Sequence, residues 1–306
     1  MTGVAPYAGG DGGLSAPRTP RGYLDQCEWG KAATLAGDRL HLQDGPIDLV
    51  LKAWGPGARA AEARAVARFR GMLAELVGEL GMLRSAGRWD LRGPVARVMA
   101  AAVAPFRPAF ITPMAAVAGA VAQAVLAATV DGPGVTRAYV NNGGDIALHL
   151  GPGERFDVAL AVRPGWPDRV TIRAADPVRG IATSGWGGRS QSLGIADAVT
   201  VLARTAAMAD AAATMIANAV DLPGHPAVVR RRAVEVKADS DLGTRMVTVG
   251  VGPLTPADVA QALARGQAVA ATYRARGLIE GAALFLQSGM RIEGAFPGPE
   301  VIDLEH

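Results

Sequence analysis

Between residues 136 and 203 the chain breaks into six short β-rich runs, TRAYVNN, DIALHL, FDVALAV, RVTIRA, GIATSG and AVTVLA, divided by Gly, Pro and Asp. A chain with that centre must build a sheet, and its flanks decide what covers the sheet. On the N-terminal side, RLHLQDGPIDLVLKAWG (39 to 55) places two alternating runs around Asp44-Gly45-Pro46, a hairpin signal. Residues 58 to 85 carry Ala, Val, Phe, Leu and Met at three-and-four spacing with Arg and Glu between them, which predicts a helix, and a shorter helical piece follows near 94 to 104. On the C-terminal side, AAMADAAATMIANA (206 to 219) predicts a helix, and 232 to 237 and 244 to 251 predict strands. T-P-A-D opens a capped helix from Thr255 to about Arg276, and GAALFLQS with MRIEGA predicts a closing hairpin. The fold class is therefore α+β, with mostly antiparallel sheets and packed helices.

With 306 residues, half of them apolar, the chain can bury one large core or two modest ones. Strand-strand-helix texture near both ends suggests two related halves, packed intimately within one domain over 23 to 303. The start, MTGVAPYAGGDGGLSAPRTPRG, reads as a loose arm over 1 to 22, and Leu304 to His306 reads as the remnant of an expression tag. Cys27 is the only cysteine, so the chain has neither an intrachain disulfide nor a thiolate zinc set of its own. The arm has no apolar region behind basic residues and no lipobox cysteine, and a reducing, cytoplasmic location is expected.

Residues 111 to 130, ITPMAAVAGAVAQAVLAATV, are twenty residues without a formal charge, the length of a membrane span. Their composition favours a buried core helix instead: Ala dominates, Gln123 interrupts, and Thr112-Pro113 stands as N-cap and first helical residue. No membrane partner is expected. Nor is nucleic acid, because the net charge is only +3 and the tightest basic run, Arg230-Arg231-Arg232, has no interleaved aromatic for stacking. A homo-oligomer is compatible with the sequence.

Three constellations carry chemistry. Asp210 and Thr214 lie four apart in the helix predicted at 206 to 219, so a carboxylate and a hydroxyl share one face with alanines between them. A hard cation such as magnesium is suited by oxygen ligands of this kind, completed by waters and substrate phosphates. The plain alternative is an aspartate favoured by the helix dipole and a core-facing threonine. Asn141-Asn142-Gly143-Gly144-Asp145 lies between two β runs, where paired glycines let a phosphate or ring edge approach the backbone and Asp145 can accept from a ligand's N–H or hydroxyl; as a bare motif it is also a turn signal. Thr183-Ser184-Gly185 ends another β run. Ser184 has no G-x-S-x-G frame and no histidine near it in sequence, which favours a backbone-positioning hydroxyl over a nucleophile.

In this order and spacing, NNGGDI, GIATSG and AVTVLARTAAMADAAAT resemble the ApbE-type superfamily of FAD:protein FMN transferases, whose pattern runs GG[DE], then ATSG, then VTV and ADAxAT. The match covers about residues 138 to 220, and FITPMAAVAGAVA (110 to 122) with SLGIADAVTV resembles the uncharacterised, non-lipoprotein branch. The resemblance implies magnesium at Asp210 and Thr214, and FAD or another flavin- or pterin-like ligand along Asn142, Gly143, Gly144, Asp145, Thr183, Ser184 and Gly185. In the transferases the metal helps break the FAD pyrophosphate and move FMN to a threonine of a partner protein. This chain departs from them between TSG and VTV, where WGGRSQSLGIADA replaces a longer H-x-I-D-P-x-T-G segment and supplies no histidine. Asp197 is the nearest carboxylate and the candidate for acid-base work, while Gly188 and Arg189 are candidates for holding a phosphate. The expectation is a magnesium-dependent enzyme of cofactor metabolism acting on a phosphorylated heteroaromatic small molecule; the alternative is a non-catalytic binding or scaffold protein.

Overall fold

The computed structural model describes residues 24–27, 30–159, 169–294 and 296; the N-terminal arm and the tag remnant expected from the sequence lie outside these. Strands β1 (Leu24–Cys27), β2 (Gly30–Leu35), β3 (Arg39–Asp44) and β4 (Ile47–Trp54) form an antiparallel meander whose last turn is the expected Asp44-Gly45-Pro46 hairpin. Strict alternation in β4, with every other residue buried from Ile47 onward, marks a sheet with one face on the core.

The single helix expected over 58 to 85 is three: α1 (Ala58–Phe69), α2 (Met72–Gly78) and α3 (Leu80–Leu83). Gly71 adopts a left-handed φ of 75°, which turns the chain between α1 and α2 so that Phe69 and Met72 both reach the core. Helix α4 (Pro94–Val103) lacks a side-chain cap from its own N-cap residue: Glu75 Oε1 accepts its Val95 amide at 3.2 Å, and the Glu79 carboxylate fixes the entering chain by accepting the Arg92 and Gly93 amides, each at 2.7 Å. A turn of 3-10 helix (Pro113–Ala116) leads into α5 (Val117–Val130). Thr112 does not cap that turn with its side chain; it is buried and donates to Asp241 Oδ2 at 2.5 Å instead.

The β-rich centre gives β5 (Arg137–Asn142), β6 (Asp145–Leu150), β7 (Arg155–Ala159), β8 (Arg169–Arg173), β9 (Gly180–Ser184) and β10 (Ala198–Ala203), followed by α6 (Ala206–Ala219) capped by the Thr205 hydroxyl. The strand expected at 232 to 237 is displaced: β11 is Val228–Arg232, and residues Ala233–Val236 coil into the short helix α7. The Ala233 and Val234 amides donate to the Arg245 and Gly243 carbonyls, so the alternating AVEV stretch closes a turn rather than extending the ladder. Then come β12 (Met246–Val251), α8 (Pro256–Ala275) with its Thr255–Asp258 capping box, and the closing hairpin β13 (Gly281–Leu286) and β14 (Gly289–Gly294).

Ten strands form one antiparallel sheet in the order β1-β2-β3-β4-β5-β6-β9-β10-β13-β14, and the pairs β7-β8 and β11-β12 stand apart from it. One face carries the helices in succession, with α1 on β3 and β4, α5 on β5 and β6, α6 on β9 and β10, and α8 on β13 and β14. Residues alternate between the faces: Val140, Ala147, Ala182 and Val199 belong to the helix-side core, while Leu148, Ile181 and Leu202 pack with Val170 and Ile172 beneath the β7-β8 hairpin. By length and composition Pro113–Val130 could cross a membrane, but it is the central core helix, packed against α1, α4, α6 and the sheet.

Candidate functional site

The alternation that builds the core also gathers the site. Asn142, Asp145 and Ser184 share the parity of Val140, Ala147 and Ala182, so all three lie on the helix-side face at one end of β5, β6 and β9. Helix α6 begins against Gly180, where a Cβ would overlap the Thr205 carbonyl, and it runs beside β9 until Gly194 abuts Ala217. Four residues of strand and eight of helix both span about 12 to 13 Å, which brings Thr214 level with Ser184. The three segments separated in sequence thus meet at one end of the sheet.

Asn142 and Asp145 pair across a two-residue turn in which Gly143 and Gly144 have φ of 64° and 114°, conformations that L side chains resist. A Cβ on Gly143 would also overlap the Arg189 guanidinium, which reaches across from the loop after β9. The Gly144 amide donates to Asn141 Oδ1 at 2.8 Å and the Gly188 amide to the Gly185 carbonyl at 3.3 Å. With those amides engaged internally, the anion-directed group on this wall is Arg189.

Asp145 Oδ1 accepts the Thr183 amide at 3.3 Å, while the Thr183 hydroxyl turns to Thr200 at 2.9 Å. Asp210 Oδ2 accepts the Gly119 amide at 2.9 Å, and the Ala118 amide is also directed at it. These are the second and third amides of α5, a helix with no cap of its own, so a carboxylate on α6 caps α5 from outside. Gly119 permits this: a Cβ there would overlap the Ala206 carbonyl oxygen and lie 2.6 Å from its carbon. The Asn142 amide closes the same corner by donating to the Ala118 carbonyl at 3.1 Å. The start of α5, which the sequence marked only through the 110 to 122 resemblance, is therefore the floor on which Asn142 and Asp210 converge.

Both carboxyl groups are held protonated beyond the ordinary range. Burial pushes Asp145 from 3.8 up to about 7, against the Thr183 amide and Arg189, which pull it down. Asp210 is raised by burial and then by the charge of Asp145, against the α5 amides. Asp145 is partly open to solvent at its rim although protein surrounds it on most sides. Each raised group stabilises the fold below the ordinary aspartate range, and that contribution is lost as pH rises through the folded-state value. The ligand-free protein with Asp145→Asn is therefore expected to exceed the wild type in stability at pH 8, with the margin shrinking or reversing by pH 5. Urea unfolding in EDTA at the two values checks this, and an equal margin at both contradicts the assignment.

A cation suits this corner on the chemistry of its donors: two enclosed carboxyl groups, one raising the proton affinity of the other, are the arrangement a divalent ion relieves, and Thr214 adds a hydroxyl on the Asp210 face. Among the described residues no three His, Cys, Asp or Glu side chains come together, so such an ion would need waters or ligand phosphates to complete its shell. Asp197 stands otherwise. Its Oδ1 accepts the Trp186 indole N–H at 3.1 Å and its Oδ2 the Gln287 amide at 2.6 Å, while a Cβ on Gly185 would overlap its carbonyl. Its carboxylate pins the loop between β9 and β10. His41 pairs with Asp48 at 2.7 Å and His225 with Asp258 at 3.5 Å, and His149 is four residues along β6 from Asp145, about 13 Å of strand. Among the described residues no histidine is hydrogen-bonded to Ser184.

The profile of the family described as AbpE bacteria matches residues 31–294, which takes in every segment of this corner. The chain belongs to this ApbE-like family. Among curated relatives, the UPF0280 protein of Methanopyrus kandleri is 38% identical over 141 residues, 45% of this chain and 54% of the relative. The UPF0280 protein of Methanothermobacter thermautotrophicus is 37% identical over 158 residues, 48% of this chain and 57% of the relative. That of Archaeoglobus fulgidus is 40% identical over 113 residues, 36% and 45% respectively. The ApbE-like chain spans about half the length of the curated relatives it matches.

Proposed function

We propose that this ApbE-like protein is a magnesium-dependent enzyme of cofactor metabolism that binds a phosphorylated heteroaromatic molecule, with a flavin nucleotide as the named candidate. One observation carries the reading: the Asp145 and Asp210 carboxylates face one corner with the Arg189 guanidinium over Gly143 at its edge. Paired acids beside a guanidinium are contradictory for a plain anion site and coherent for a phosphate bound together with its cation.

In this reading Asp210 and Thr214 hold the ion, Arg189 meets a phosphate oxygen, and Asp145 accepts from a ring N–H or hydroxyl. A bound magnesium ion would supply charge neutralisation on the phosphate. The chain's own part is positioning: Asn142 and Gly119 fix the corner, and Asp197 fixes the loop that carries Trp186 and Arg189. A second reading, binding without turnover, is favoured by one specific observation, that both oxygens of Asp197 are engaged and leave it no role in proton transfer.

Native mass spectrometry of the purified protein tests the proposal. A retained flavin, pterin or nucleotide that EDTA releases is expected; a protein that stays ligand-free after addition of magnesium and FMN would refute it. Release of FMN and AMP from added FAD, with water as the co-reactant, selects the enzyme, and unchanged FAD selects the binder.

A further inference from the structure

Helix α6 keeps a polar stripe. Asp210, Thr214 and Asn218 recur at every fourth residue, and all three are partly exposed while Ala211, Ala212, Ala213, Ile216 and Ala217 between them are buried. Asn218 is tied to the loop after β9: its Oδ1 accepts the Leu193 amide at 2.9 Å and the Ser192 hydroxyl at 3.3 Å. Ser192 is buried, and its hydroxyl also accepts the Gly194 amide at 3.2 Å. Gly194 permits so close an approach, since a Cβ there would overlap the Ala217 carbonyl oxygen.

The same dipeptide is held from its other side. The Thr248 amide of β12 donates to the Ser192 carbonyl at 2.9 Å, and the Arg230 guanidinium, paired with Asp221, donates to the Leu193 carbonyl. Residues 187 to 190 just before this anchor are exposed, and Arg189 projects from them over Gly143. Among the described residues Asn218 is the one α6 side chain hydrogen-bonded to this loop, so it ties the guanidinium's support to the helix that carries Asp210 and Thr214. A phosphate that meets a cation on α6 and a guanidinium on the loop needs the two at a matched separation, and a separation fixed in advance lowers the cost of binding.

We propose that Asn218 is the positioning residue that sets Arg189 at the distance from the α6 cation face that a metal-bound phosphate requires, so that the site takes the cation and phosphate together in preference to either alone. The inference rests on the site reading given above and adds the side chain that couples its two halves. Asn218 acts through the loop and touches neither ion nor phosphate.

Inorganic pyrophosphate is the probe, titrated with magnesium into wild type, Asn218→Ala, Arg189→Ala and the double variant. Arg189→Ala alone should weaken pyrophosphate binding about 10- to 150-fold, the loss of a charge-assisted bond. Asn218→Ala should weaken it about tenfold or more and leave the affinity for magnesium alone within about twofold. On the Asn218→Ala background Arg189→Ala should cost less than about threefold, because the guanidinium is already out of place. Asn218→Asp keeps an oxygen for both donors and should restore the full Arg189 effect. A purely structural asparagine would lower stability and leave the Arg189 effect undiminished, and that additivity overturns the inference. So does an Asn218→Ala protein that binds pyrophosphate as tightly as wild type, or an Asn218→Asp protein that behaves like the alanine variant. If the alanine variant does not fold, Asn218→Gln replaces it, since one more methylene displaces the acceptor; an undiminished Arg189 effect on that background overturns the inference. Wild type that fails to bind pyrophosphate with magnesium, or an Arg189→Ala protein that binds it equally well, refutes the phosphate site itself and the inference with it.

Discussion

Gly119→Ala is expected to destabilise the protein by about 1 to 3 kcal/mol, the usual cost of overpacking a dense core, and to open the site in the same step. The added methyl would overlap the Ala206 carbonyl oxygen and lie 2.9 Å from the Ala207 amide nitrogen, both backbone atoms at the start of α6 that cannot rotate away. Relief requires α5 and α6 to separate, and separation lengthens the bond between the Gly119 amide and Asp210 Oδ2. The fold and the carboxylate corner should therefore fail together. Gly187→Ala is the matched control: its Cβ meets nothing within 4 Å, and it should stay within about 0.5 kcal/mol of wild type. Urea midpoints of the two variants check the comparison, and a Gly119→Ala protein as stable as Gly187→Ala would mean that the helices have slack the packing does not show.

Asp210→Asn should have the opposite signature. The asparagine oxygen can still accept the Gly119 amide, so α5 keeps its outside cap, while a charge that burial and Asp145 both oppose is removed. Without ligand the variant should be at least as stable as wild type at pH 8. Stabilisation by magnesium should disappear, because the α6 face loses its anionic ligand, with an affinity loss of about 100-fold or more, beyond what outer-shell changes cost. Thermal melts with and without the ion check both halves. Equal magnesium shifts in wild type and variant would remove Asp210 from the metal corner; a less stable variant would show that the carboxylate serves α5 alone.

The sequence made the strands legible wherever turn chemistry punctuated them. Asp44-Gly45-Pro46 and the Gly143-Gly144 pair each mark a tight reversal, and the strands on either side of each pair with one another. Periodicity was less informative where a local conformation overrode it. Nothing in the spacing over 58 to 85 shows that Gly71 turns left-handed, and the alternation at 232 to 237 looked like a strand although Arg245 and Gly243 draw those amides into a turn.

At the site, the three motifs carrying Asp145, Ser184 and Asp210 were readable because each has its own local signature. The start of α5 was not, because its role depends on one glycine meeting a helix that lies about ninety residues on. Asp197 looked available for the same reason in reverse. Its partners are 11 and 90 residues away, and only the packed sheet brings Trp186 and Gln287 to its two oxygens.

The most direct measurement is calorimetric titration of FMN into the wild-type protein with magnesium and again in EDTA. The account predicts saturable one-to-one binding with the ion and at least about tenfold weaker binding without it, since a phosphate brought to this corner without its cation has only the Arg189 guanidinium as a counter-charge. Equal affinity in EDTA, or no heat in either buffer, would contradict a corner built for a phosphate together with its metal.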